Sequence, residues 1–347
     1  MTSHSAHAPA SPPPTAGSAL RPVHIAGTGS YAPEQVVTNH DLARRVDTTD
    51  EWIVSRTGMK ERHIAGPEQA TSDLAAEAAR RALKAAGVEA ASVDLMIVAT
   101  ITPDLPFPNT ACLVQAKIGA KRAACFSIEA ACSGFLYAME TARHFIATGA
   151  AETAVVIGAE KMSAILDWED RTTCVLFGDG AGAAVLRPCT GGRGILATSL
   201  GSDGSLSHLL MVPAGGSRLP ASAETVAARQ HYLKMSGREV FKHAVTHMTR
   251  AAEDALKRAG VKAQDIAWVI PHQANMRIIQ AIADRFKVSQ DRFIVNLETY
   301  GNTSAASVGI ALDEAVRDRR IRKGDLLLFL VFGGGFTWGA TVMEWNP

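Results

Sequence analysis

The chain has 347 residues, of which 47% are hydrophobic, 20% are charged and 6% are aromatic, and its formal net charge at pH 7 is +1. This balanced charge gives no reason to expect a nucleic acid or an anionic membrane as a partner, and no apolar run reaches the length of about 18 residues that a membrane helix needs. Its five cysteines have no close-spaced pairs, so we expect a cytoplasmic protein without a disulfide framework or bound metal. Length and composition predict an α/β protein of about two domains.

The first segment, residues 1–20, is rich in Ser, Ala and Pro. This composition predicts a disordered tail outside the fold, and the segment lacks the apolar core of a secretory signal. Residues 23–33 then form an apolar run that ends in Gly and Pro, which predicts a buried strand followed by a turn.

Further on, Trp52 and Arg56 lie four residues apart and would share one face of a helix. By itself this spacing favours a tryptophan packed on the core beside a solvated arginine.

The next helix and strand have clear signals. Residues 72–87 carry an apolar helical stripe, with Thr71 or Ser72 as the expected N-cap and Gly87 as the stop. The uninterrupted apolar run of residues 94–100 predicts a central strand that is covered on both faces.

A cysteine occupies the following junction between a strand and a helix. Residues 125–128 are apolar, small residues follow, and a helical stripe begins directly after Cys132. A cysteine at a helix N-terminus lies near free backbone N–H groups and the positive end of the helix dipole, which favours the nucleophilic thiolate. The alternative is a small buried hydrophobe, and this segment alone does not decide between the two.

The sequence contains an internal duplication. Residues 82–97, ALKAAGVEAASVDLMI, match residues 255–270, ALKRAGVKAQDIAWVI, without a gap, and further matches follow in the same order. This predicts two α/β halves, residues 21–188 and residues 189–347, each with helices packed on a mixed sheet. Residues 212–231 have no counterpart and predict a surface insertion.

Two related halves bring equivalent loops together. Cys132, His272 and Asn302 each lie just past the end of a predicted strand, where such loops would meet. The histidine and the asparagine each have an ordinary explanation on their own, as a satisfied polar group or a turn residue. Together with the cysteine and the glycine run of residues 332–336, they indicate a catalytic site.

Six segments carry a resemblance to a known family. The strings AACSGF, PHQAN, GNTSAAS, FGDGAGAAVL, FGGGFTWG and DEWIVSRTGMKERHI resemble β-ketoacyl-acyl-carrier-protein synthase III, an initiating condensing enzyme of the thiolase superfamily, and the match extends from residue 23 to the C-terminus. The resemblance implies a thiolase-like fold, in which two duplicated halves form a layered α-β-α-β-α architecture. It also implies a catalytic triad of Cys132, His272 and Asn302, whereas elongating relatives have His in place of Asn302.

The reaction that the resemblance implies begins with attack of Cys132 on a short acyl-CoA, such as acetyl-CoA, to give an acyl-enzyme. The backbone N–H groups of Cys132 and Gly334 would hold the oxyanion. Malonyl-acyl-carrier protein (malonyl-ACP) then loses CO2, His272 and Asn302 donate hydrogen bonds to the enolate, and condensation gives β-ketoacyl-ACP for type II fatty acid synthesis. No metal or other cofactor is implied.

Other functions remain open at this point. The main alternative is a related priming ketosynthase of a polyketide or other secondary pathway, which would keep the same triad. A non-catalytic partner subunit ranks lower, because it would not need the triad. A nucleotide-binding oxidoreductase ranks lower still, because the glycine runs lack the spacing of nucleotide-binding loops.

The resemblance also implies binding residues. Contacts to CoA are implied for Trp52, Arg56, Arg171 and Asn275. The acyl pocket would be lined by Phe107, Leu176, Phe177, Leu209 and Phe332, with Phe107 crossing the interface of a homodimer. Docking of the acidic carrier protein is implied for Arg277, Arg285 and Lys287, although a solvated charged face explains Lys287 nearly as well.

Overall fold

The computed structural model describes residues 20–347, so the predicted tail, residues 1–20, lies outside the described residues except for Leu20. The helices are α1 (Asn39–Leu42), α2 (Asp50–Thr57), α3 (Thr71–Ala86), α4 (Thr110–Ile118), α5 (Gly134–Ala147), α6 (Arg171–Cys174), α7 (Ala223–Ala227), α8 (Gly237–Ala259), α9 (Met276–Phe286), α10 (Leu297–Tyr300) and α11 (Ser307–Arg317). The strands are β1 (Val23–Tyr31), β2 (Gln35–Thr38), β3 (Glu61–Ile64), β4 (Leu95–Ala99), β5 (Ala124–Ile128), β6 (Ala154–Glu160), β7 (Gly180–Pro188), β8 (Ile195–Ser202), β9 (Leu210–Met211), β10 (Lys234–Met235), β11 (Trp268–Pro271), β12 (Leu326–Gly333) and β13 (Thr337–Glu344). In the described part of the chain, none of the helices combines the length and the apolar character needed to cross a membrane.

The two main sheets have their strands in the same order. The larger sheet has the order β1-β7-β6-β4-β5, and the smaller one has the order β8-β13-β12-β11. In each sheet the first two neighbouring pairs are antiparallel and the third is parallel. A parallel bridge between Val269 and Phe293 extends the smaller sheet at the position that β5 takes in the larger one. The predicted mixed α/β fold is confirmed, whereas the division of the chain at residue 188 stays a prediction.

Alternating side chains explain how the layers pack. In β12, Leu327, Phe329 and Val331 belong to the core around α5 and α11, whereas Leu328 and Leu330 belong to the core around α8. Strands β4 and β6 divide their side chains in the same way between α5 on one face and α3 on the other. Both strands are buried along their whole length, as predicted for β4. The layers are therefore helix, sheet, helix, sheet and helix, with α5 and α11 between the sheets.

Glycines allow α11 and the turn before it to pack directly on the larger sheet. A Cβ atom added to Gly158 of β6 would lie 2.1 Å from the Ala305 carbonyl oxygen, and one added to Gly182 of β7 would lie 2.5 Å from the backbone of Gly309. Since real Cβ atoms do not approach other atoms that closely, backbone contacts backbone at both positions. The glycine-rich string GDGAG, which contains Gly182, thus has a packing role.

We expect Gly158→Ala to lower the free energy of unfolding by about 3 kcal/mol, the upper end of the range for an overpacked core. The reason is that the added methyl group meets a backbone carbonyl, which cannot rotate away as a side chain can. Thermal unfolding followed by circular dichroism measures the effect. Gly191→Ala is the matched control, because a Cβ atom there meets nothing within 4 Å. Equal melting temperatures for the two variants would contradict the close packing.

The N-terminus of α3 differs from the prediction. The cap is Ala70, whose N–H donates to the Asp73 carboxylate at 2.9 Å. Thr71 and Ser72, the predicted caps, instead lie inside the first turn, and their hydroxyl groups donate to the loop that follows β4. The local sequence pattern does not predict these long-range hydrogen bonds. The predicted stop is confirmed, since Gly87 ends the helix with φ 63°.

The segment without a counterpart in the first half, residues 212–231, contains the short helix α7 and is fastened to the loop after β6. Arg229 donates to the Asp167 carboxylate, with Nε at 3.0 Å from Oδ2. This hydrogen bond lowers the pKa of Asp167 to about 2. The segment is therefore held in place by an ion pair at its C-terminal end.

Candidate active site

Cys132 lies in a tight turn between β5 and α5. The turn is the 3₁₀ segment Ala131–Ser133, and α5 follows it directly. Ala131 has φ 45°, in the left-handed region that residues other than glycine seldom occupy. The corresponding turn of the second half, Ser304–Ala306 before α11, has φ 49° at Ser304. The two turns contact each other, so equivalent loops of the two halves meet at the cysteine.

Burial of Cys132 disfavours ionisation of its thiol. The residue is 7% exposed, and burial raises its pKa to about 12, although the Ser304 hydroxyl acts in the opposite direction. Burial therefore acts against the helix N-terminus, which favours the thiolate. Attack on a carbonyl carbon requires a neighbouring group that takes the proton.

His272 follows β11 directly, and its backbone N–H donates to the Leu330 carbonyl at 2.7 Å. The ring Nδ1 lies 2.7 Å from the Ser307 hydroxyl, which leaves Nε2 for another partner. The residue is 3% exposed, and burial lowers its pKa to about 3. The imidazole is therefore neutral near pH 7 and interacts through hydrogen bonds, not as a cation.

Asn302 is fixed by hydrogen bonds from backbone and side chain. Its N–H donates to the Leu176 carbonyl at 2.8 Å, and its carbonyl accepts from the Gly178 N–H at 3.1 Å. Its side-chain Oδ1 accepts from the Ser304 N–H at 2.8 Å. Because Oδ1 is occupied in this way, the Nδ2 hydrogens are the groups that Asn302 can offer to a ligand.

Two cavities meet at Cys132. The first cavity has a volume of about 450 Å³, and its lining includes Cys132, His272, Asn302, Phe332 and, further out, Trp52. The second cavity has a volume of about 410 Å³, and its lining includes Cys132, Ile101, Met162, Ile165, Phe177, Leu210 and Gly334. The three predicted catalytic residues thus line one cavity, and Cys132 also lines the second one.

Three of the four residues predicted to bind CoA line the first cavity, namely Trp52, Arg56 and Asn275, and the fourth, Arg171, lies beside Trp52. Trp52 and Arg56 share one face of α2, as predicted, and the Arg56 guanidinium carbon is 4.5 Å from the centre of the indole ring. The guanidinium carbon of Arg171 is 5.2 Å from the same ring. Asn275 caps α9, and its Oδ1 accepts from the Arg277 N–H at 2.9 Å. An indole with two guanidinium groups beside it has the character of a stacking site for a flat ring.

The residues predicted to dock the carrier protein lie on α9 and at its end. Arg277, Arg285 and Lys287 are all exposed. The Arg277 guanidinium donates to the Ser55 carbonyl of α2 at 3.0 Å. This contact joins the basic helix to the element that carries Trp52, so the basic surface borders the first cavity.

Four of the predicted acyl-pocket residues do not line the second cavity. Leu176 and Phe332 line the first cavity instead. Leu209 lines neither cavity, whereas the next residue, Leu210, lines both. Phe107 is 87% exposed on the loop before α4 and lines neither cavity of the single chain.

Sequence reasoning missed a buried carboxyl group next to the nucleophile. Glu160 ends β6 and is 0% exposed, and burial raises its pKa to about 7. The Ser304 hydroxyl donates to it at 3.0 Å. The sequence does carry a signal for this buried carboxyl group, because Glu160 ends the otherwise apolar run VVIGAE. A carboxylate is almost never fully buried without a partner.

The fold has five layers, and its two related sheets share a central pair of helices. This fold places the chain among the thiolase-like condensing enzymes, a class of acyltransferases. The family model of 3-oxoacyl-[acyl-carrier-protein (ACP)] synthase III matches residues 126–204, and the model of the C-terminal part of that family matches residues 256–345. The chain belongs to the 3-oxoacyl-[acyl-carrier-protein] synthase III family and is an acyl-transferring condensing enzyme of fatty acid biosynthesis.

Three relatives illustrate the similarity. A β-ketoacyl-[acyl-carrier-protein] synthase III of Desulfitobacterium hafniense is 55% identical over 324 residues, which are 93% of this chain and 98% of that protein. The crystal structure of 3-oxoacyl-[acyl-carrier-protein] synthase III from Aquifex aeolicus is 47% identical, with a TM-score of 0.87 over 93% of this chain and 100% of that one. The priming β-ketosynthase from the R1128 polyketide biosynthetic pathway is 34% identical, with a TM-score of 0.87 over 96% and 100% of the two chains.

Proposed function

We propose that this enzyme condenses a short acyl group, delivered as acyl-CoA, with malonyl-ACP, and so forms the β-ketoacyl-ACP, CO2 and CoA with which type II fatty acid synthesis starts. The observation that carries the proposal is the position of Cys132 between the two cavities, with His272 and Asn302 on the first cavity only. A nucleophile at that point holds the acyl chain in one cavity while the thioester carrier reaches it through the other.

In the first half of the reaction, the Cys132 sulfur attacks the thioester carbonyl of the acyl-CoA and CoA leaves as a thiolate. The backbone N–H groups of Cys132 and Gly334 hold the oxyanion, and loss of one such donor costs on the order of 100-fold in rate. The end of β12 supports this arrangement. A Cβ atom at Gly333 would lie 2.6 Å from the Cys132 nitrogen, so the glycine run lies directly beside the nucleophile.

In the second half, malonyl-ACP loses CO2 and the electron pair of the broken C–C bond forms an enolate. His272 Nε2–H and Asn302 Nδ2–H donate hydrogen bonds to the enolate oxygen, and the carbanion then attacks the acyl carbonyl and releases the Cys132 thiolate. The low pKa of His272 supports this role, because a neutral imidazole keeps its proton as a donor and does not protonate the carbanion. The electron pairs balance in this scheme without a metal or a redox cofactor.

A related role as a priming ketosynthase is the second candidate. It is supported by the similarity to the R1128 priming β-ketosynthase over nearly the whole of both chains. The chemistry at Cys132 would be the same, and the difference would lie in which starter and which acyl-carrier protein the enzyme prefers.

We further propose that the enzyme works as a homodimer. Leu105 and Phe107 lie on the loop before α4 and are 48% and 87% exposed in the single chain. Large apolar side chains that protrude from one loop indicate a surface that another protein covers. Phe107 would then reach the second cavity of the partner. Sedimentation equilibrium tests this proposal, and a monomer at micromolar concentration would contradict it.

The proposed function is tested by the intact mass of the protein after mixing with acyl-CoAs of increasing chain length, followed by addition of malonyl-ACP. A short-chain adduct that malonyl-ACP discharges as β-ketoacyl-ACP supports an initiating synthase and identifies its starter. Adducts that form only with longer chains favour the priming role in another pathway. The proposal is overturned if no acyl-CoA gives an adduct.

We expect Trp52→Ala to raise KM for acyl-CoA about tenfold, because base–aromatic stacking is worth about 1–3 kcal/mol. The turnover rate at saturation changes little, since Trp52 lies far out in the first cavity. Acyl-pantetheine, which lacks the adenine, serves as the matched substrate, and its kinetics stay unchanged in the variant. Trp52→Phe keeps an aromatic face and recovers most of the affinity. An equal loss with both substrates would contradict adenine stacking.

A further inference from the structure

We propose that Glu160 is a positioning residue for Asn302: it anchors Ser304, whose backbone N–H holds the Asn302 side-chain amide in the orientation that offers Nδ2 to the enolate. Glu160 lines neither cavity, so it acts through Ser304 and does not touch the substrate. The inference rests on the proposed function, in which Asn302 donates a hydrogen bond to the enolate.

Two hydrogen bonds connect Glu160 to the Asn302 amide through Ser304. The Ser304 hydroxyl donates to Glu160 Oε1 at 3.0 Å, and the Ser304 N–H donates to Asn302 Oδ1 at 2.8 Å. All three residues are buried. Hydrogen bonds in a site without water are electrostatically strong, so they hold their partners in a defined orientation.

The orientation of the Asn302 amide depends on Ser304. The hydrogen bonds of Asn302 to Leu176 and Gly178 involve its backbone N–H and carbonyl, and they leave the side-chain torsions free. In the described part of the chain, the Asn302 side chain accepts one hydrogen bond, from the Ser304 N–H. A shift of Ser304 would therefore release Oδ1 and let the amide rotate away from the enolate.

The backbone of Ser304 needs an anchor. Its φ of 49° lies in the left-handed region, and a residue other than glycine keeps this conformation when its surroundings hold it there. The hydrogen bond to Glu160 is one such restraint. The backbone contact between Gly158 and Ala305 is another, so the turn Ser304–Ala306 is fastened to β6 at two points.

The equivalent turn of the first half is anchored differently. Ala131 takes the left-handed position there, with φ 45°, and has no hydroxyl group. That turn is held by the Thr337 hydroxyl, which donates to the Ala130 carbonyl at 2.8 Å. The carboxylate anchor thus belongs to the turn beside Asn302. Ala131 also shows that alanine adopts this conformation, so Ser304→Ala removes the anchor without a new demand on the backbone.

Glu160 is itself fixed on its other side. Its Oε2 accepts from the Thr100 hydroxyl at 3.1 Å, from the Thr102 hydroxyl at 2.6 Å and from the Ile101 N–H at 3.1 Å. Its backbone is paired with β7. Because the carboxylate cannot turn away without losing these bonds, it gives Ser304 a rigid point of attachment.

The test compares the two half-reactions in Ser304→Ala. Acylation of Cys132 by acetyl-CoA is followed by intact mass, and release of labelled CO2 from malonyl-ACP is measured with the pre-formed acetyl-enzyme, so that the acylation rate does not enter. CO2 release falls about tenfold, because a misplaced donor stabilises the enolate less well, while acylation stays within a few-fold of the wild type.

Glu160→Gln gives the same separation of the half-reactions. One side of the glutamine amide carries hydrogens, which face either the Ser304 hydroxyl or the Ile101 N–H, so the anchor is weakened. If this variant fails to fold, Ser304→Ala decides alone.

A double variant distinguishes positioning from a structural role. In an Asn302→Ala background, Ser304→Ala changes CO2 release no further, because the group that Ser304 positions is gone. A structural role of Ser304 would instead give losses that multiply.

The matched control is Thr303→Val. The Thr303 hydroxyl lies in the same turn, is buried and has no hydrogen-bond partner among the described residues, so both rates stay at the wild-type level. Wild-type CO2 release in folded Ser304→Ala overturns the inference, and so do equal losses in the two half-reactions or multiplying losses in the double variant. Wild-type CO2 release in Asn302→Ala overturns the proposed function instead.

Discussion

Cys132→Ala is expected to abolish acyl transfer and to lower the condensation rate by at least about 10⁴-fold, as loss of the nucleophile does in other acyl-transfer enzymes. The structure explains why no other residue takes the place of Cys132 as the nucleophile. The residues that line both cavities are Cys132, Phe177 and Leu210, and of these only the cysteine carries a nucleophile. An alanine at this position leaves the cavities and the oxyanion donors intact, so binding of acyl-CoA persists.

Intact-protein mass spectrometry after mixing with acetyl-CoA measures this loss, since the wild type gains one acetyl group and the variant gains none. Cys174→Ala is the matched control. Cys174 is also buried, at 1% exposed, but it lines neither cavity, so that variant acylates normally. An acetyl adduct on Cys132→Ala would show that another residue is the nucleophile.

His272→Ala and Asn302→Ala are expected to separate the two halves of the reaction. Each removes one hydrogen-bond donor to the enolate, so CO2 release from malonyl-ACP falls by about 100–1,000-fold, while acylation of Cys132 stays within a few-fold of the wild type. The double variant loses less than the product of the two single effects, because the donors act on one oxygen.

The measurements are the mass of the acyl-enzyme after a single turnover and the release of labelled CO2 from malonyl-ACP. Gln273→Ala is a useful comparison, because Gln273 is buried next to His272 and bonds to the backbone at 2.7 and 3.0 Å. That variant loses stability but keeps the ratio of the two half-reactions. Variants of His272 or Asn302 that lose acylation and keep decarboxylation would reverse the assigned roles.

The sequence predicts features whose signals are local. The shared face of Trp52 and Arg56 and the stop at Gly87 follow from spacing within one helix. The convergence of Cys132 and Asn302 follows from the duplication, since the equivalent turns of two related halves meet in the structure.

Features that depend on contacts between distant segments were missed. The hydrogen bond between Ser304 and Glu160 joins residues 144 positions apart, and neither residue type predicts that the two side chains pair. The cap of α3 was misassigned because the Ser72 hydroxyl bonds to Asp104, across 32 positions. The assigned roles of the binding residues stay predictions.

The direct backbone contacts at Gly158 and Gly182 bear on how this enzyme can be altered. Backbone already lies on backbone at both positions, so a side chain added there would displace the turn before α11, which contacts the turn that carries Cys132. Under the proposed function, in which the second cavity holds the acyl chain, chain-length preference would depend on wall residues such as Met211 and Val212. Substitutions at these two positions would then change the preferred starter and leave the backbone around Cys132 in place.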